Sequence, residues 1–390
     1  MTKEQGPGTG TTDGRRAGRL ATAAEIRQQP RIWQLVAREA EQRRSSADGF
    51  VRPLLSDQRA RVILSGAGTS AFAGQVLAPA LTGRLHRRVE AVATTDIVSS
   101  PRQVLGEDVP TLLVSLARSG DSPESTATTA VADELLSSVR HVVITCNRHG
   151  QLAKAHADRT GSLVVLMPAA ANDRGFAMTS SFTSMLLAAQ LTLDPDGPGG
   201  GHVDRLGAAA EQLLAERAGQ LAGLAARRYR RVVYLGSGAL TGLAREAALK
   251  LLELTAGQIV SYWDSPLGFR HGPKAVLGEG TLCVVFVSTD PYSRRYDQDI
   301  ADELRRALGD EHVVEVSAHS GDGRPAWSIG DLGHVPDSLA ALPYAVLAQQ
   351  FALLASLELG LTPDNPFPSG ELSRVVRGVD IYPLPVDDGA

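Results

Sequence analysis

The chain has 390 residues, 43% of them hydrophobic and 21% charged, with a formal net charge of −4 and a pI near 6.2. That mixture excludes a disordered chain, and the length accommodates two domains of ordinary size. Neither the charge nor the pI gives nucleic acid or an acidic membrane an electrostatic reason to bind, so neither is expected as a partner.

In chain order, residues 1–19 read as a flexible tail, because Gly, Thr and charge dominate and no apolar periodicity appears. They hold no apolar core of a signal peptide, and no later segment is expected to reach a membrane span, so a cytoplasmic protein is expected. The segment AAEIRQQPRIWQLVAREAEQRR reads as a helix packed on the outside. RVILSGAG (61–68) is an apolar run ending in a glycine turn, and the helical TSAFAGQVLAPAL follows. TLLVSLA (111–117), HVVITC (141–146) and SLVVLM (162–167) are further short β-branched runs separated by helical stretches. DPDGPGGGHVDR (194–205) reads as a linker from its Pro and Gly density.

The pattern then repeats. RVVYLGSG (231–238) runs into ALTGLAREAALKLLEL, and TLCVVFVS (281–288) and HVVEVS (312–317) follow. Alternating strands and helices predict α/β architecture with two doubly wound parallel sheets and right-handed crossovers. The expected organisation is a tail (1–19), a first domain with its leading helix (20–195), a second domain (206–360) and a C-terminal tail over the active site (361–390). Cys146 and Cys283 end apolar runs and read as buried thiols; no cysteine pair has metal spacing.

Four turns are rich in small and hydroxyl residues: 65–70 (SGAGTS), 117–122 (ARSGDS), 178–181 (MTSS) and 236–238 (GSG). Small residues let backbone approach a ligand, and N–H groups at a helix start attract an anion. At the carboxyl ends of parallel strands this suits a phosphate on a small molecule. One glycine turn is more often a plain connection, but three hydroxyl-rich turns in one half favour phosphate binding. No GxxxxGK[ST] occurs and the turns do not match GxGxxG, so a nucleoside triphosphatase and a dinucleotide enzyme are both disfavoured.

Glu246, Lys250 and Glu253 are spaced i, i+4 and i+7, along one face of a helix. Such a row is usually a solvated salt-bridge stripe. Here Leu249, Leu251, Leu252 and Leu254 surround it, which favours a row facing a pocket, with Lys250 tuning a carboxylate for proton transfer. The nine histidines form no HxxxH or HExxH cluster, so no metal and no cofactor are expected.

SGAGTSAFAG, ARSGDSPEST, and LAREAALKLLELTAG paired with GFRHGPKAV resemble the sugar isomerase (SIS) domain family. Within it the chain resembles the tandem-SIS proteins, including the isomerase half of glucosamine-6-phosphate synthase. EIRQQPRIW and TPDNPFPSGELSRVVRGV resemble in particular the tagatose-6-phosphate ketose/aldose isomerase group, described as galactosamine-6-phosphate deaminase/isomerase. The resemblance covers roughly residues 20–385. It implies two flavodoxin-like three-layer SIS domains, and Ser70, Ser119 and Ser122 as phosphate contacts, with Thr179 and Ser180 as weaker additions. Arg118 stands beside them as a bidentate partner.

The resemblance further implies that Glu253 moves a proton between C1 and C2 of an open-chain sugar, with Glu246 and Lys250 in support. His271 matches a histidine that helps open the sugar ring and is supplied by the neighbouring subunit, so a homo-oligomer is expected. The tail departs from the synthase: SRVVRGVDIYP offers Arg374 and Arg377 where the synthase has an imine-forming lysine. The glutaminase half is absent too, so glucosamine 6-phosphate synthesis is not expected. Isomerisation with deamination of a hexosamine 6-phosphate is the leading expectation. Loss of water from an N-acetylhexosamine 6-phosphate and non-catalytic sensing of a sugar phosphate are the alternatives.

Overall fold

In the computed structural model of the protein, residues 20–197, 199–319, 326–330, 332, 335–376 and 378–384 are described. The expected 1–19 tail lies outside them.

Strands β1 (Arg61–Gly66), β2 (Arg88–Ala93), β3 (Thr111–Ala117), β4 (Val139–Thr145) and β5 (Ser162–Leu166) form a parallel sheet ordered β2-β1-β3-β4-β5. Strands β6 (Arg231–Gly236), β7 (Val260–Asp264), β8 (Thr281–Phe286), β9 (Val313–Ser317) and β10 (Ala326–Ser328) form a second parallel sheet ordered β10-β9-β8-β6-β7. Read from β7, the second order repeats the first, so the sequence repeat is a repeat of topology. The central strands β1, β3 and β8 are buried along their whole length, as parallel strands covered on both faces must be. Strand order reverses between β1 and β3, and again between β6 and β8. The carboxyl ends of those pairs are where a doubly wound sheet offers a ligand crevice.

Helix α1 (Ala21–Leu55) does not lie outside, as its sequence suggested. Ile26 and Trp33 are wholly buried, and the Trp33 indole donates to Thr183 Oγ1 at 2.9 Å. That partner belongs to helix α4 (Ser180–Leu193), so α1 is a core element of the first half. The expected linker also contracts, because helix α5 spans Gly199–Glu216. Its Val203, Leu206, Ala210 and Leu213 recur at helical spacing and are buried, which overrides the poor helix propensity of the glycines. Helix α8 (Asp337–Glu358) is long and apolar enough to cross a membrane, contrary to the sequence expectation, but 89% of that window is packed inside the fold.

The halves meet along two equivalent helices, α2 (Thr69–Leu85) after β1 and α6 (Ala239–Leu254) after β6. At Gly242 a Cβ would lie 2.7 Å from the backbone nitrogen of Val76 and 2.9 Å from the Gln75 carbonyl carbon. Only glycine permits that approach. The C-terminal segment returns to the first half. Asp364 accepts from the Ala21 and Thr22 amides at 2.9 and 2.8 Å and so caps α1, while the Phe367 ring lies 5.2 Å from that of Phe176.

Candidate active site

At the end of β1 the chain turns through Gly68, at φ 53°, into α2. Ser70 occupies the first turn; it is buried, and its hydroxyl makes no hydrogen bond among the described residues. At the end of neighbouring β3 the chain passes Arg118, Ser119 and Gly120 (φ 64°) into helix α3 (Pro123–Leu135). Ser122 is the N-cap residue of α3 but does not cap it; its hydroxyl pairs with Ser125 Oγ at 2.6 Å. The first N–H groups of α3 therefore carry no side-chain acceptor. The loop is braced from behind by Asn147, whose amide donates to the Ser119 carbonyl at 2.9 Å. Two serine-bearing turns at a strand reversal, beside a helix start without a side-chain cap, form a cradle suited to an anion.

Thr179 and Ser180 do not join it. Both are wholly buried at the start of α4, where Asp173 stands in the place of an anion. Its carboxylate accepts from the Thr179, Ser180 and Ser181 amides at 2.8, 3.0 and 2.9 Å, and from Thr179 Oγ1 at 3.0 Å. The Ser180 hydroxyl donates to the Glu25 carbonyl at 2.8 Å. This hydroxyl-rich turn is a helix cap.

Arg118 is buried, and its Nη1 has no hydrogen-bond partner among the described residues. Its Nη2 donates to the Arg374 carbonyl at 2.8 Å, and Arg374 in turn donates to the Asp173 carbonyl. The tail thus crosses the cradle at Arg374; Arg377 lies outside the described residues. Burial and the neighbouring Arg374 draw the Arg118 pKa below its ordinary value, opposed by Asp173 and Glu253, which lie within electrostatic reach.

Glu253 belongs to the other half. On α6, Glu246 and Lys250 are both 1% exposed, while the Glu253 side chain is 25% exposed. Lys250 donates to Glu253 and lies 3.6 Å from Glu246. Burial pushes the Glu246 carboxyl up to about 8, with Glu253 adding to the rise and Lys250 opposing it. Burial works against the Lys250 charge, yet Glu246 and Glu253 together hold its pKa above the ordinary value. The row thus sets a buried Glu246, whose proton is held more tightly than usual, behind a buried Lys250 that donates to the part-exposed Glu253. Lys250, Arg118 and Arg374 bring three cations to the seam, with Glu246, Glu253 and Asp173 within electrostatic reach of them.

His271 is not brought to this row within one chain. It follows a short turn of helix after β7, lies exposed, and its ring makes no hydrogen bond or ion pair among the described residues.

Asp173, Asn147 and Arg374's link to Arg118 escaped the sequence reading. Asp173 caps a helix that begins several residues downstream, outside the spacing by which caps are recognised. Among the described residues, no group of three or more His, Cys, Asp or Glu is placed to hold a metal ion.

Residues 54–194 match the family model of the SIS domain. The AgaS protein of Streptomyces coelicolor is 56% identical over 93% of this chain and 95% of its own length. A D-galactosamine-6-phosphate deaminase, AgaS, of Escherichia coli is 41% identical over 93% and 95%. The crystal structure of tagatose-6-phosphate ketose/aldose isomerase from Escherichia coli superposes with a TM-score of 0.87 at 39% identity, covering 94% of this chain and 97% of that one.

Proposed function

The chain belongs to the AgaS family of tandem-SIS proteins, and from that membership we propose that it deaminates and isomerises a hexosamine 6-phosphate, galactosamine 6-phosphate first among them. It is a sugar-phosphate isomerase/deaminase. One observation carries the reading: the buried Lys250 and the part-exposed Glu253 of the second half lie within electrostatic reach of the buried Arg118 of the first, beside a serine cradle whose helix start has no side-chain cap.

The cradle of Ser70, Ser119 and Ser122, with Arg118, holds the phosphate. The sugar then reaches across the seam with C1 and C2 at Glu253. In the open-chain aldehyde the Glu253 carboxylate removes the C2 proton, and the electron pair moves toward the C1 oxygen as an enolate. The Lys250 ammonium stabilises that developing charge. Return of the proton to C1 leaves an imine at C2; water adds there and ammonia leaves, giving the ketose 6-phosphate. Glu246 supports Lys250 from behind without touching the sugar. His271 opens the ring, supplied to the site of a second subunit in a cytoplasmic homo-oligomer.

The test is incubation with galactosamine, glucosamine and N-acetylglucosamine 6-phosphates, following ammonia and product mass. Ammonia with a ketohexose phosphate is expected from the free amines. Loss of one water from the acetylated sugar without ammonia would replace the proposal with a dehydratase. Binding without any product would replace it with a sensor. Glu253→Gln should lower kcat by about 10²–10⁴-fold, and wild-type rates in that variant would remove the base assignment. Mixed oligomers of Glu253→Gln and His271→Asn subunits should regain activity that neither has alone; no recovery would place His271 in its own subunit's site.

A further inference from the structure

The proposed chemistry divides its labour among three elements that are far apart in the chain: α2 begins at the phosphate cradle, α6 carries Glu253, and β7 leads into the loop with His271. A hexose 6-phosphate has a fixed length from phosphorus to C2. Helices α2 and α6 must therefore keep a fixed spacing, or the base misses its proton, while β7 carries His271 toward the site of a second subunit.

One side chain touches all three. Arg245 lies on α6 directly before Glu246, and its guanidinium carbon stands 4.5 Å from the centre of the Phe72 ring and 4.8 Å from that of Trp263. Phe72 lies two residues beyond Ser70 in the first turn of α2. Trp263 is the penultimate residue of β7. Arg245 is only half-buried, and among the described residues it makes no hydrogen bond and no ion pair. Its only observed partners are the two ring faces. A planar guanidinium can stack on two rings at once, and it draws attraction from both through their quadrupoles.

The rest of the seam runs in register with it. Gly242 meets Val76, Arg245 meets Phe72, and Gly68 of the cradle turn has Leu249 as its nearest neighbour across the seam. Rising numbers on α6 match falling numbers on α2, so the two helices lie antiparallel. Arg245 is the seam contact that also reaches β7, through Trp263.

We propose that Arg245 is a positioning residue for the reaction: clasped between Phe72 and Trp263, it fixes the phosphate-bearing helix and the His271-bearing strand against the helix that carries Glu253. The inference rests on the deaminase/isomerase reading above. Phosphate is gripped wholly within the first half, so loss of Arg245 should leave binding intact and misplace the base.

The test is steady-state kinetics of the full-length protein on galactosamine 6-phosphate, with inhibition by inorganic phosphate measured in parallel. Arg245→Met keeps the length and apolar bulk and removes the cation. Its kcat should fall about 100-fold, with KM and the phosphate inhibition constant within about twofold of wild type. Arg245→Lys keeps a cation without the plane and should fall in between. Phe72→Tyr keeps the ring face and should retain kcat, whereas Phe72→Leu should lose it. Adding Phe72→Leu to Arg245→Met should cost little more, since both break one clasp.

A KM raised tenfold or more in Arg245→Met at unchanged kcat would overturn the proposal and make Arg245 a direct substrate contact. Unchanged kinetics in every variant would overturn it as well. Should Arg245→Met not fold, the two Phe72 variants decide the matter: equal kcat in both overturns the proposal. Absence of wild-type turnover refutes the deaminase reading itself, whereas normal wild-type turnover with unmoved variants refutes only this inference.

Discussion

Strand β1 and strand β6 each end in a glycine that a side chain could not replace. A Cβ at Gly66 would lie 2.6 Å from Ser70 Cβ, and one at Gly236 would lie 2.6 Å from the Leu240 carbonyl oxygen. Two residues on, Gly68 and Gly238 take the same positive-φ conformation, at φ 53° and 55°. The backbone is therefore the same in both halves, and the chemistry diverges on it. Thr69 and Ser70 correspond to Ala239 and Leu240, so hydroxyls in one turn are apolar side chains in the other. After β3, the start of α3 has no side-chain cap. After β8, Asp290 caps helix α7 (Pro291–Leu308) by accepting from the Tyr292 and Ser293 amides. Asp297 takes the Ser237 hydroxyl at 2.5 Å, and Asp337 takes those of Ser288 and Thr289 at 2.6 and 2.8 Å. The second switch point is filled by the protein's own carboxylates. One repeat leaves the helix start at its switch point without a side-chain cap, and the other fills its own with carboxylates and packs its helix α6 against the first.

The largest effect should come from building the second half's plug into the first. Ser122→Asp would place a carboxylate on the open N–H groups of α3, as Asp290 does on α7. A helix start accepts that gladly, and the cap should stabilise the fold by about 0.5–1 kcal/mol. The substrate phosphate would then meet a like charge in its own cradle, and KM should rise by about 10²–10³-fold. A melting temperature at or above wild type together with that loss would separate the two effects. A wild-type KM would show that α3 does not bind the phosphate.

A smaller effect is expected where the halves touch. Gly242→Ala sets a methyl 2.7 Å from a backbone nitrogen of α2, and backbone in a packed helix cannot step aside. The helices must separate, at about 1–3 kcal/mol of overpacking strain. Denaturant unfolding should show that loss, and kcat should fall on the order of tenfold as Glu253 moves from the cradle. Wild-type kcat at reduced stability would mean that the seam holds the fold without setting the reaction geometry.

Much of this contrast was legible in the chain itself. The central strands announced themselves as β-branched runs, and the Glu246–Lys250–Glu253 row stood out by helical spacing inside leucines. Two edge strands did not: β2 reads RVEAVA and β7 reads VSYWD, where half-exposed positions accept charge and break the apolar run, whereas the edge strand β5 kept its apolar SLVVL and was read. The hydroxyl-rich turns looked alike as sequence. What separates the open cradle at Ser119–Ser122 from the capped starts at Thr179 and Ser237 is a carboxylate elsewhere in the chain. Asp173 precedes its turn by six residues and Asp297 follows its own by sixty. Local pattern cannot see a partner supplied by tertiary packing. His271 was found by motif, yet nothing within one chain brings it to Glu253.

The smallest effects should appear as opposite pH limbs of stability in the two halves. In the first half, His141 and His156 are buried with ring centres 4.9 Å apart, His141 bonded to Asp133 and His156 to Ser162, with Arg159 also on Asp133. Burial draws both below the usual histidine value, His156 to about 4 with His141 and Arg159 adding to the fall. A depressed histidine stabilises the fold above its unfolded value, and that contribution is lost as pH falls from about 6.5 toward 4. In the second half burial pushes Asp297 up to about 6. A raised carboxyl stabilises the fold below its unfolded value, and that contribution is lost as pH rises from about 4 through 6. Melting curves between pH 4 and 7 should then respond in opposite senses. His156→Gln should flatten the loss of stability toward acid and Asp297→Asn the loss of stability toward neutral, each by a few degrees on the order of one to two kcal/mol. Parallel shifts in both variants would mean that the two halves do not titrate independently, and that the plug at Asp297 is coupled through the seam to the half whose cradle stayed open.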